Sequence, residues 1–547
     1  FLTPIHLLLR FIGVSPFNVL QVSVVSYFLL GLLGMYTFFR MRAFSQAPAA
    51  LGAALFTFSG FAIGHLNHVN FYTSTMLLPW LLIAAYALLR KPTLLNSALL
   101  ALVAAATVVS GQPQIVMFVF VAVAVIAGAL AIEHYSVDFK KKQKQLFQTI
   151  GLTILAGVIS FMLSTFAILP LYEFLPLTER SDELPLMERL EFSYPPFHAI
   201  TLILPYFFGD HETYWGPKGF QELAAFTGLI PLFLAGAALV RWKKYRPERI
   251  VGISFVALAI AMALGRHSVI YGYFSNQPFL TSLGVIGRFV FFFNLGMMLL
   301  AACALEDLPH IRKHKWTLLL SIGAGVALLV GILFPFFIQL QADVDIYKRF
   351  TSIVTSADPI WIAAIAGLLV IPAYAVAAKR PTFQKHIQLG IAAVSIATLV
   401  LYSWGYNPLS YRSAATEEVA FAQELRAYSA SHPTPARLYS RPDLIQNASA
   451  FKHTDSISPL FAVYQPMVIE LNNASCFRLP LRSNPNAVGT IQIGLHTDPL
   501  QDPIRSLKLS SVEAGLSPEQ KVCFPPVPDS ASNEYWLSVT SEFESGV

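Results

Sequence analysis

Long runs of apolar residues recur through about residue 405 of this 547-residue chain, and most approach the length needed to cross a membrane. A helix rises 1.5 Å per residue, so about 20 apolar residues span the roughly 30 Å hydrocarbon core of a bilayer. Only 12% of the residues are charged, about half of the share in a water-soluble domain. The sequence therefore predicts an all-α polytopic membrane protein embedded in a lipid bilayer, and it excludes fibrous and disordered classes.

We predict about twelve transmembrane helices. Several of the runs are shorter than 20 residues, which indicates tilted or partly embedded helices. The approximate bounds are Asn18–Phe39, Ala47–Gly64, Tyr72–Leu89, Thr93–Val109, Gln114–Ile132, Leu146–Tyr172, Leu223–Val240, Ile250–Gly265, Phe289–Leu305, Trp316–Leu340, Ile360–Ala378 and His386–Gly405.

Lysine and arginine are divided unevenly between the loops that join these runs. Every second loop is rich in them: Arg40, Arg42, Arg90, Lys91, Lys140, Lys141, Lys142, Lys144, Arg241, Lys243, Lys244, Arg246, Arg249, Arg312, Lys313, Lys315, Lys379, Arg380 and Lys385. Because cytoplasmic loops retain Lys and Arg, we predict that these loops are cytoplasmic. The net charge of +6 then reflects membrane orientation, and no nucleic-acid partner is expected.

From about residue 406 the composition becomes that of a soluble protein. Ala415–Ser429 has helical spacing, whereas later segments alternate apolar and polar residues between Pro, Asp, Ser and Asn turns. We therefore predict a transmembrane domain over residues 1–405, a linker with a short helix over 406–475, and a β-sandwich-like domain over 476–547. Both C-terminal segments are predicted to lie outside the cytoplasm.

Three cysteines are too few to build a disulfide-rich scaffold. Cys303 lies in an apolar run, whereas Cys476 and Cys523 lie in the polar tail. One bridge between these two cysteines and a pair of free thiols are both open from the sequence.

The sequence lacks the standard motifs of soluble nucleotide, hydrolase and zinc chemistry. It contains no Gly-rich loop ending in Lys-Ser or Lys-Thr, no Gly-x-Ser-x-Gly, no His-Glu-x-x-His and no Cys-x-x-Cys. Candidate functional residues are therefore sought among polar side chains at the outer ends of the predicted spans.

Two short outer loops carry polar side chains without any charge. His65 and His68 have a spacing that can present two ring nitrogens to one metal ion or to a substrate, and the alternative is a polar turn at the membrane interface. Gln112 and Gln114 could hydrogen-bond sugar hydroxyls, whereas the alternative is that they cap helix ends. These four residues are predicted substrate-binding candidates.

The longest outer loop, Glu173 to Glu222, is rich in acidic residues. Carboxylates retained at the mouth of a span usually have a partner or a function, because charge at membrane depth costs about 2.5 to 3.5 kcal/mol. Asp210 and Glu173 are the predicted catalytic residues, and the alternative is an ordinary wetted loop. The remaining substrate-binding candidates in this region are His211, Glu212 and Tyr214.

Three arginines, Arg180, Arg266 and Arg288, are predicted to face this acidic outer side. Arg180 lies in the long loop, and Arg288 directly precedes the apolar run Phe289–Phe293. A guanidinium binds phosphate through two parallel hydrogen bonds, so these side chains could hold a lipid phosphate. An interfacial anchor or a salt bridge explains them equally well.

Several short strings follow one another in a fixed order: Phe58–Phe61, His65–Asn70, Leu78–Trp80, Ser110–Gln114, Leu169–Glu173, Pro205–Gly209 and Gly287–Phe289. In this order and spacing they resemble the YfhO-like family of bacterial membrane proteins, over residues 1 to about 440. Gln112 departs from the family's Gly-His-Pro-Gln string, so a role for an imidazole at this position is not carried over.

The resemblance implies a polytopic glycosyltransferase of the GT-C type in a bacterial cytoplasmic membrane. Such an enzyme would take a sugar from a polyprenyl-phosphate carrier and transfer it outside the cytoplasm to a glycopolymer, lipid or protein acceptor. An external carboxylate would act as the base, and cations or a divalent metal ion would hold the departing lipid phosphate.

The resemblance also bears on the two ends of the chain. The main acidic residue of such enzymes usually lies in the first external loop, which places it upstream of residue 1 in this chain. The C-terminal end is likewise expected to be truncated. Cys523–Ser530 looks like part of the β-sandwich modules attached to related membrane proteins, which implies glycan binding by the tail.

Two other functional classes stay open. A transporter or flippase of lipid-linked saccharides predicts ionisable residues at mid-membrane depth and two related halves, and neither feature stands out in the sequence. A non-catalytic envelope assembly protein would use the same outer surface to bind partners.

Overall fold

In the computed structural model the chain divides into two compact units, one over Phe1–Leu409 and one over Ser410–Val547. The described residues are 3–174, 186–210, 213–239, 245–275, 277, 284–308 and 383–406, short helical pieces between 319 and 346, and six strands between 462 and 543.

Helices make up most of the described part of the first unit. Their bounds are α1 (Pro4–Phe11), α2 (Pro16–Met41), α3 (Gln46–Thr57), α4 (Gly60–Gly64), α5 (Val69–Arg90), α6 (Leu94–Ser110), α7 (Pro113–Ser136), α8 (Phe139–Phe174), α9 (Leu186–Arg189), α10 (Leu229–Ala237), α11 (Arg246–Ala263), α12 (Val269–Phe274), α13 (Val290–Asp307) and α14 (Gln384–Tyr406). Short 3-10 helices cover Pro196–Leu202, Gly265–His267 and Ile286–Phe289. A helix satisfies its own backbone hydrogen bonds, which is what lipid surroundings require.

Within the described residues, seven helical segments are long and apolar enough to cross a membrane. They are Asn18–Met41, Gln46–Gly64, Val69–Arg90, Pro113–Ser136, Phe139–Glu173, Ile286–Asp307 and Gln384–Tyr406. Each overlaps one of the twelve runs identified in the sequence. The structure therefore supports a helical polytopic membrane protein.

The predicted count of twelve spans is not supported. α6 has only 17 residues and α10 only nine, and α11 begins with three charged residues, Arg246, Glu248 and Arg249. All nine residues of α10 are buried, so the apolar character of this run reflects packing inside the protein. The predicted span Trp316–Leu340 lies largely outside the described residues, and Ile360–Ala378 lies wholly outside them.

Helix α13 lies at the centre of the first unit. It packs against α3, α10 and α11, and 94% of the span that contains it is buried. A Cβ atom placed on Gly296 of α13 would lie 2.6 Å from the carbonyl oxygen of Gly252 in α11. Because only glycine permits so close an approach, α11 and α13 meet backbone against backbone.

Helix α8 lies at the edge of this unit. It has 36 residues and is about 54 Å long, well beyond the roughly 30 Å hydrocarbon core. Its main packing partner is α6, to which it is joined by a 2.7 Å hydrogen bond from Ser97 Oγ to the Leu152 carbonyl. Most of the α8 surface is exposed, as expected of a helix that faces lipid.

Ion pairs join several helices at their arginine-rich ends, which define the inner end of the unit. Arg42 donates from Nε to Glu248 and from Nη2 to Glu133, both at 2.7 Å. Arg249 of α11 is fully buried and pairs with Asp307 of α13. These five residues form the inner cluster, which ties α7, α11 and α13 to the segment after α2.

The second unit contains two antiparallel sheets among its described residues. The strands are β1 (Ala462–Ile469), β2 (Cys476–Leu479), β3 (Gly489–His496), β4 (Arg505–Ser510), β5 (Gln520–Cys523) and β6 (Asn533–Phe543). One sheet has the order β1-β6-β3-β4, and the other pairs β2 with β5. Packing of the sheets into a β-sandwich stays a prediction.

Two other predictions for the tail fall on this unit. Strand β1 lies within residues 406–475, the segment predicted to be a linker, and the predicted helix Ala415–Ser429 lies outside the described residues. Cys476 lies opposite Cys523 in the β2–β5 register. Such a pairing is compatible with disulfide geometry, and the bridge itself stays a prediction.

Candidate functional site

Polar side chains from four separate segments meet at the outer end of the helical unit, at the opposite end of α13 from Asp307. His65 follows α4, Gln114 lies in the first turn of α7, Glu222 lies in the loop before α10, and Arg288 lies in the 3-10 helix that leads into α13. These four residues form the outer cluster. His65, Gln114 and Arg288 were predicted from the sequence, whereas Glu222 was not.

Backbone contacts place α4 against the loop that carries Glu222. The Gly60 N–H donates to the Phe226 carbonyl at 2.8 Å, and a Cβ atom on Gly60 would lie 2.3 Å from the Phe226 nitrogen. Ser59 caps α4 by accepting a hydrogen bond from the Ala62 N–H. This close packing fixes His65, one turn further along, beside Glu222.

Arg288 and Glu222 form a two-pronged ion pair. Arg288 donates from Nε to Glu222 Oε2 at 2.9 Å and from Nη2 to Oε1 at 2.8 Å, and both side chains are nearly buried. Burial alone would raise the pKa of the Glu222 carboxyl. Hydrogen bonds from His65 and Arg288, together with their positive charges, instead hold this pKa well below its ordinary value. Glu222 is therefore ionised.

The His65 ring is fully buried between two acceptors. Its Nδ1 lies 2.9 Å from the Phe61 carbonyl, and its Nε2 lies 3.1 Å from Glu222 Oε2. A neutral imidazole has one N–H and can donate to only one of them, whereas an imidazolium donates to both. Phe71 stacks on this ring, and the centre of the Phe71 ring lies 4.6 Å from the guanidinium carbon of Arg288, which stabilises the guanidinium.

The two glutamines of the Gly-Gln-Pro-Gln string have different roles. Gln114 accepts a hydrogen bond from Arg288 Nη1 at 2.8 Å and donates weakly to the Val285 carbonyl. Gln112 accepts from the Ile115 N–H at 3.0 Å and so caps α7. The structure thus places Gln114 in the outer cluster, and it matches the capping alternative for Gln112.

His68 borders the outer cluster without joining it. Its ring centre lies 5.6 Å from that of His65 and 5.0 Å from that of Phe71. Its Nδ1 is buried and has no hydrogen-bond partner among the described residues. Burial, followed by the positive charges of His65 and Arg288, lowers the pKa of His68 against the opposing effect of Glu222. His68 is therefore a neutral proton acceptor at pH 7.

The described residues do not support the predicted pairing of His65 and His68 on one metal ion. Both nitrogens of His65 already contact protein acceptors. No group of three or more His, Cys, Asp or Glu side chains in the described ranges is placed to hold a metal ion. Arg288 and the His65 ring instead share the Glu222 carboxylate.

The two predicted catalytic carboxylates lie apart from this cluster. Asp210 Oδ1 accepts hydrogen bonds from the N–H and the hydroxyl of Thr213, at 3.0 and 2.8 Å, which is a local turn. Glu173 is exposed near the end of α8. No described contact of the outer cluster involves either residue, so sequence proximity to a span did not identify the buried carboxylate.

The other predicted residues divide into two groups. Tyr214 donates to the Pro217 carbonyl at 2.6 Å, and its hydroxyl lies 3.5 Å from Nε2 of the buried His198. Burial lowers the pKa of His198 to about 3, so this ring is neutral. Arg180, His211 and Glu212 lie outside the described residues.

An apolar cavity of about 440 Å³ lies between α10, α11 and α13. Its lining includes Tyr194, Ala225, Leu232, Ile253, Val290 and Leu300. Ile260, which also lines it, is 52% exposed, so the cavity opens on the surface of the helical unit. Val290 lies two residues after Arg288, and Ala225 lies three residues after Glu222, so two segments that supply the outer cluster also line the cavity.

A sequence signal for Glu222 did exist. Glu222 directly precedes the uncharged run Leu223–Val240, just as Arg288 directly precedes Phe289–Phe293. A charged residue at such a border lies where a buried element begins, and opposite charges at two borders are candidates for a pair.

Comparison with protein-family models, with curated proteins and with solved structures found no match for this chain. The resemblance to YfhO-like proteins therefore stays a prediction. What supports a function is the geometry of the outer cluster and of the cavity beside it.

Proposed function

We propose that this protein is an integral membrane glycosyltransferase of the GT-C type. It transfers a sugar from a polyprenyl-phosphate carrier to a glycopolymer, lipid or protein acceptor on the extracytoplasmic face of a bacterial cytoplasmic membrane. The observation that carries the proposal is a buried polar cluster on segments that also line an apolar cavity: Glu222 and Ala225 belong to one loop, and Arg288 directly precedes the helix of Val290. A lipid-linked phosphate has the same two parts, an apolar chain and an anionic head.

The cavity supplies the apolar part of such a site. Its walls come from α10, α11, α13 and the 3-10 helix Pro196–Leu202, and its lining is almost wholly apolar. A prenyl chain entering from the bilayer beside Ile260 would exchange lipid contacts for protein contacts. The chain would leave its phosphate near Val290 and Arg288, at the outer end of α13.

The outer cluster supplies the charge. Arg288 carries one positive charge, and His65 adds a second when its ring is protonated, against the single negative charge of Glu222. In that state the cluster favours an anion. Gln114 holds the guanidinium in place from a third side. In this arrangement Glu222 is a positioning residue, because its two oxygens orient Arg288 and His65 and it is too strongly held to accept a proton.

His68 is the candidate base. Its unpartnered Nδ1 would take the proton of an acceptor hydroxyl. The acceptor oxygen would form a bond to the anomeric carbon of the sugar as the bond from that carbon to the phosphate oxygen breaks. The bonding electrons leave with polyprenyl phosphate, whose negative charge the cations stabilise.

The second unit would serve the acceptor. Antiparallel sheets β1-β6-β3-β4 and β2-β5 are the elements from which a β-sandwich is built. We propose that they form such a module outside the cytoplasm and bind the acceptor glycan. The charge distribution between the loops supports this orientation.

The test uses the full-length protein in proteoliposomes, with radiolabelled polyprenyl-phosphate sugars and a crude envelope acceptor fraction. Glu222→Gln and His68→Asn are each expected to lower acceptor-dependent transfer by about a hundredfold. Ala257→Trp, which fills the cavity from its exposed wall, is expected to weaken use of the lipid donor. Ala124→Trp on the exposed face of α7 is the matched control and should transfer normally.

Each alternative function predicts a different result. Movement of the labelled donor across the bilayer without transfer would identify a flippase. If well-folded protein neither transfers nor moves any labelled donor, a non-catalytic role in envelope assembly is the remaining function. Transfer that is unaffected by Glu222→Gln and His68→Asn would locate the chemistry elsewhere in the chain.

A further inference from the structure

The first turns of α8 extend beyond the bilayer and carry lysine side chains. Since α8 is about 24 Å longer than the hydrocarbon core, one end must project into the headgroup region or beyond it. Lys140, Lys141 and Lys144 lie on its first two turns and are exposed. None of the three forms an ion pair within the described residues, whereas Lys142 donates to the His134 carbonyl at 2.7 Å.

The side chains on one face of α8 change from charged to apolar along the helix. Lys140, Lys144, Phe147 and Gly151 are spaced by three or four residues and so lie on one face. The lysines, Phe147 and Gln148 line a concave surface of about 670 Å³. Gln148 also lines an adjoining groove of about 370 Å³, so the two hollows are continuous.

The adjoining groove lies between α6 and α8. Its walls are Pro92, Leu94, Leu152 and the backbone of Gly151. A Cβ atom on Gly151 would meet nothing within 4 Å, so the groove is open at this point. The Ser97 hydrogen bond to the Leu152 carbonyl holds the two helices together beneath it. An apolar chain lying along this groove would be in contact with both helices.

We infer that this continuous surface is a binding site for an anionic phospholipid, whose phosphate contacts Lys140, Lys141 and Lys144 while one acyl chain occupies the groove at Gly151. Exposed Arg90 and Lys91 at the neighbouring helix end add positive charge. The enrichment of lysine in cytoplasmic loops would explain the presence of these lysines. It does not explain the apolar groove that adjoins them. The site is separate from the outer cluster and does not depend on the proposed function.

Native mass spectrometry of the full-length protein in detergent tests this site. The probes are phosphatidylglycerol and phosphatidylcholine with identical acyl chains. Phosphatidylglycerol is expected to bind more tightly than phosphatidylcholine. The triple variant Lys140→Gln/Lys141→Gln/Lys144→Gln should weaken phosphatidylglycerol binding at least about tenfold, because each lysine near an anionic headgroup contributes roughly fivefold in affinity. The matched charge control is Lys385→Gln, an exposed lysine at the start of α14.

A second variant tests the groove independently of charge. Gly151→Phe fills open space and should displace bound phosphatidylglycerol while leaving the three lysines intact. Gly128→Phe on α7, where a Cβ atom also meets nothing within 4 Å, is its control. Equal binding of the two lipids, or unchanged phosphatidylglycerol binding in the triple lysine variant, would overturn the site. Loss of binding with the lysine variant but not with Gly151→Phe would overturn the acyl-chain assignment.

Discussion

The outer and inner clusters are both built from buried arginine and carboxylate side chains, yet their charges are balanced in opposite ways. In the inner cluster Arg42 has two carboxylate partners and Arg249 has one. In the outer cluster Arg288 and His65 share the single carboxylate of Glu222. The inner cluster therefore has at least one carboxylate for each arginine, whereas the outer cluster has a single carboxylate for an arginine and a histidine.

This difference separates a structural role from a functional one. Ion pairs between helices fix their relative positions, and the inner cluster joins four parts of the chain in this way. A buried excess of positive charge is costly unless an anion compensates it. The outer cluster carries such an excess when His65 is protonated, and the proposed anion binding uses that state.

The largest stability effect should come from the buried half of the inner cluster. Arg249→Met removes the arginine that pairs with the buried Asp307 carboxylate and is expected to lower the free energy of unfolding by about 3 to 5 kcal/mol. Thermal unfolding in detergent, followed by size-exclusion chromatography, measures the change. Adding Asp307→Leu should restore much of the loss. If the single variant is as stable as the wild type, the inner cluster does not fix the relative positions of these helices.

The largest activity effect should come from the outer cluster. Glu222→Gln is expected to lower the transfer rate by about a hundredfold, because the cations lose the group that orients them. Glu133→Gln in the inner cluster is the matched control and should retain activity. Comparable losses in both variants would remove the functional distinction between the clusters. The measurement is initial transfer rate at equal protein content in proteoliposomes.

The pH dependence of stability sharpens the same comparison. Glu222 has a lowered pKa in the folded protein, so its contribution to stability is complete above its ordinary value of 4.5 and is lost as the pH falls further. The difference in unfolding temperature between wild type and Glu222→Gln should therefore be constant from about pH 6 to 8 and shrink below about pH 4.5. A difference independent of pH down to about pH 3 would contradict an ionised Glu222.

The smallest effect should come from the exposed edge of the inner cluster. The Glu133 side chain is 43% exposed, so solvent screens its pairing with Arg42. Glu133→Gln is expected to cost about 0.5 kcal/mol in the free energy of unfolding. The same thermal measurement applies. A loss as large as that of Arg249→Met would show that exposure does not separate the two pairs.

The sequence identified most of the outer cluster because polar residues stand out beside uncharged runs. His65, Gln114 and Arg288 were found in this way. Glu222 was missed because it ends a long loop with many acids, and only the tertiary fold distinguishes a carboxylate that meets Arg288 from one, such as Asp210, that forms a local turn. Pairing between residues 66 positions apart along the chain is not encoded in local spacing.

The structure supports fewer spans over the described residues than the sequence predicts, for a related reason. Hydropathy reports how apolar a segment is, and it does not report whether lipid or protein surrounds that segment. Helix α10 is as apolar as a span but has nine buried residues. Helix α8, in contrast, is longer than a span requires and is mostly exposed. Its hydropathy therefore identified a candidate span correctly.

The glycine contact between α11 and α13 makes these two helices one mechanical element. With no side chain between Gly252 and Gly296 there is no compressible layer, and tilting one helix must tilt the other. The inner pair of Arg249 and Asp307 sits at one end of this element, and Arg288 lies at the other. In a single-molecule pulling experiment the two helices would unfold in one step, and the outer cluster would be lost in that same step.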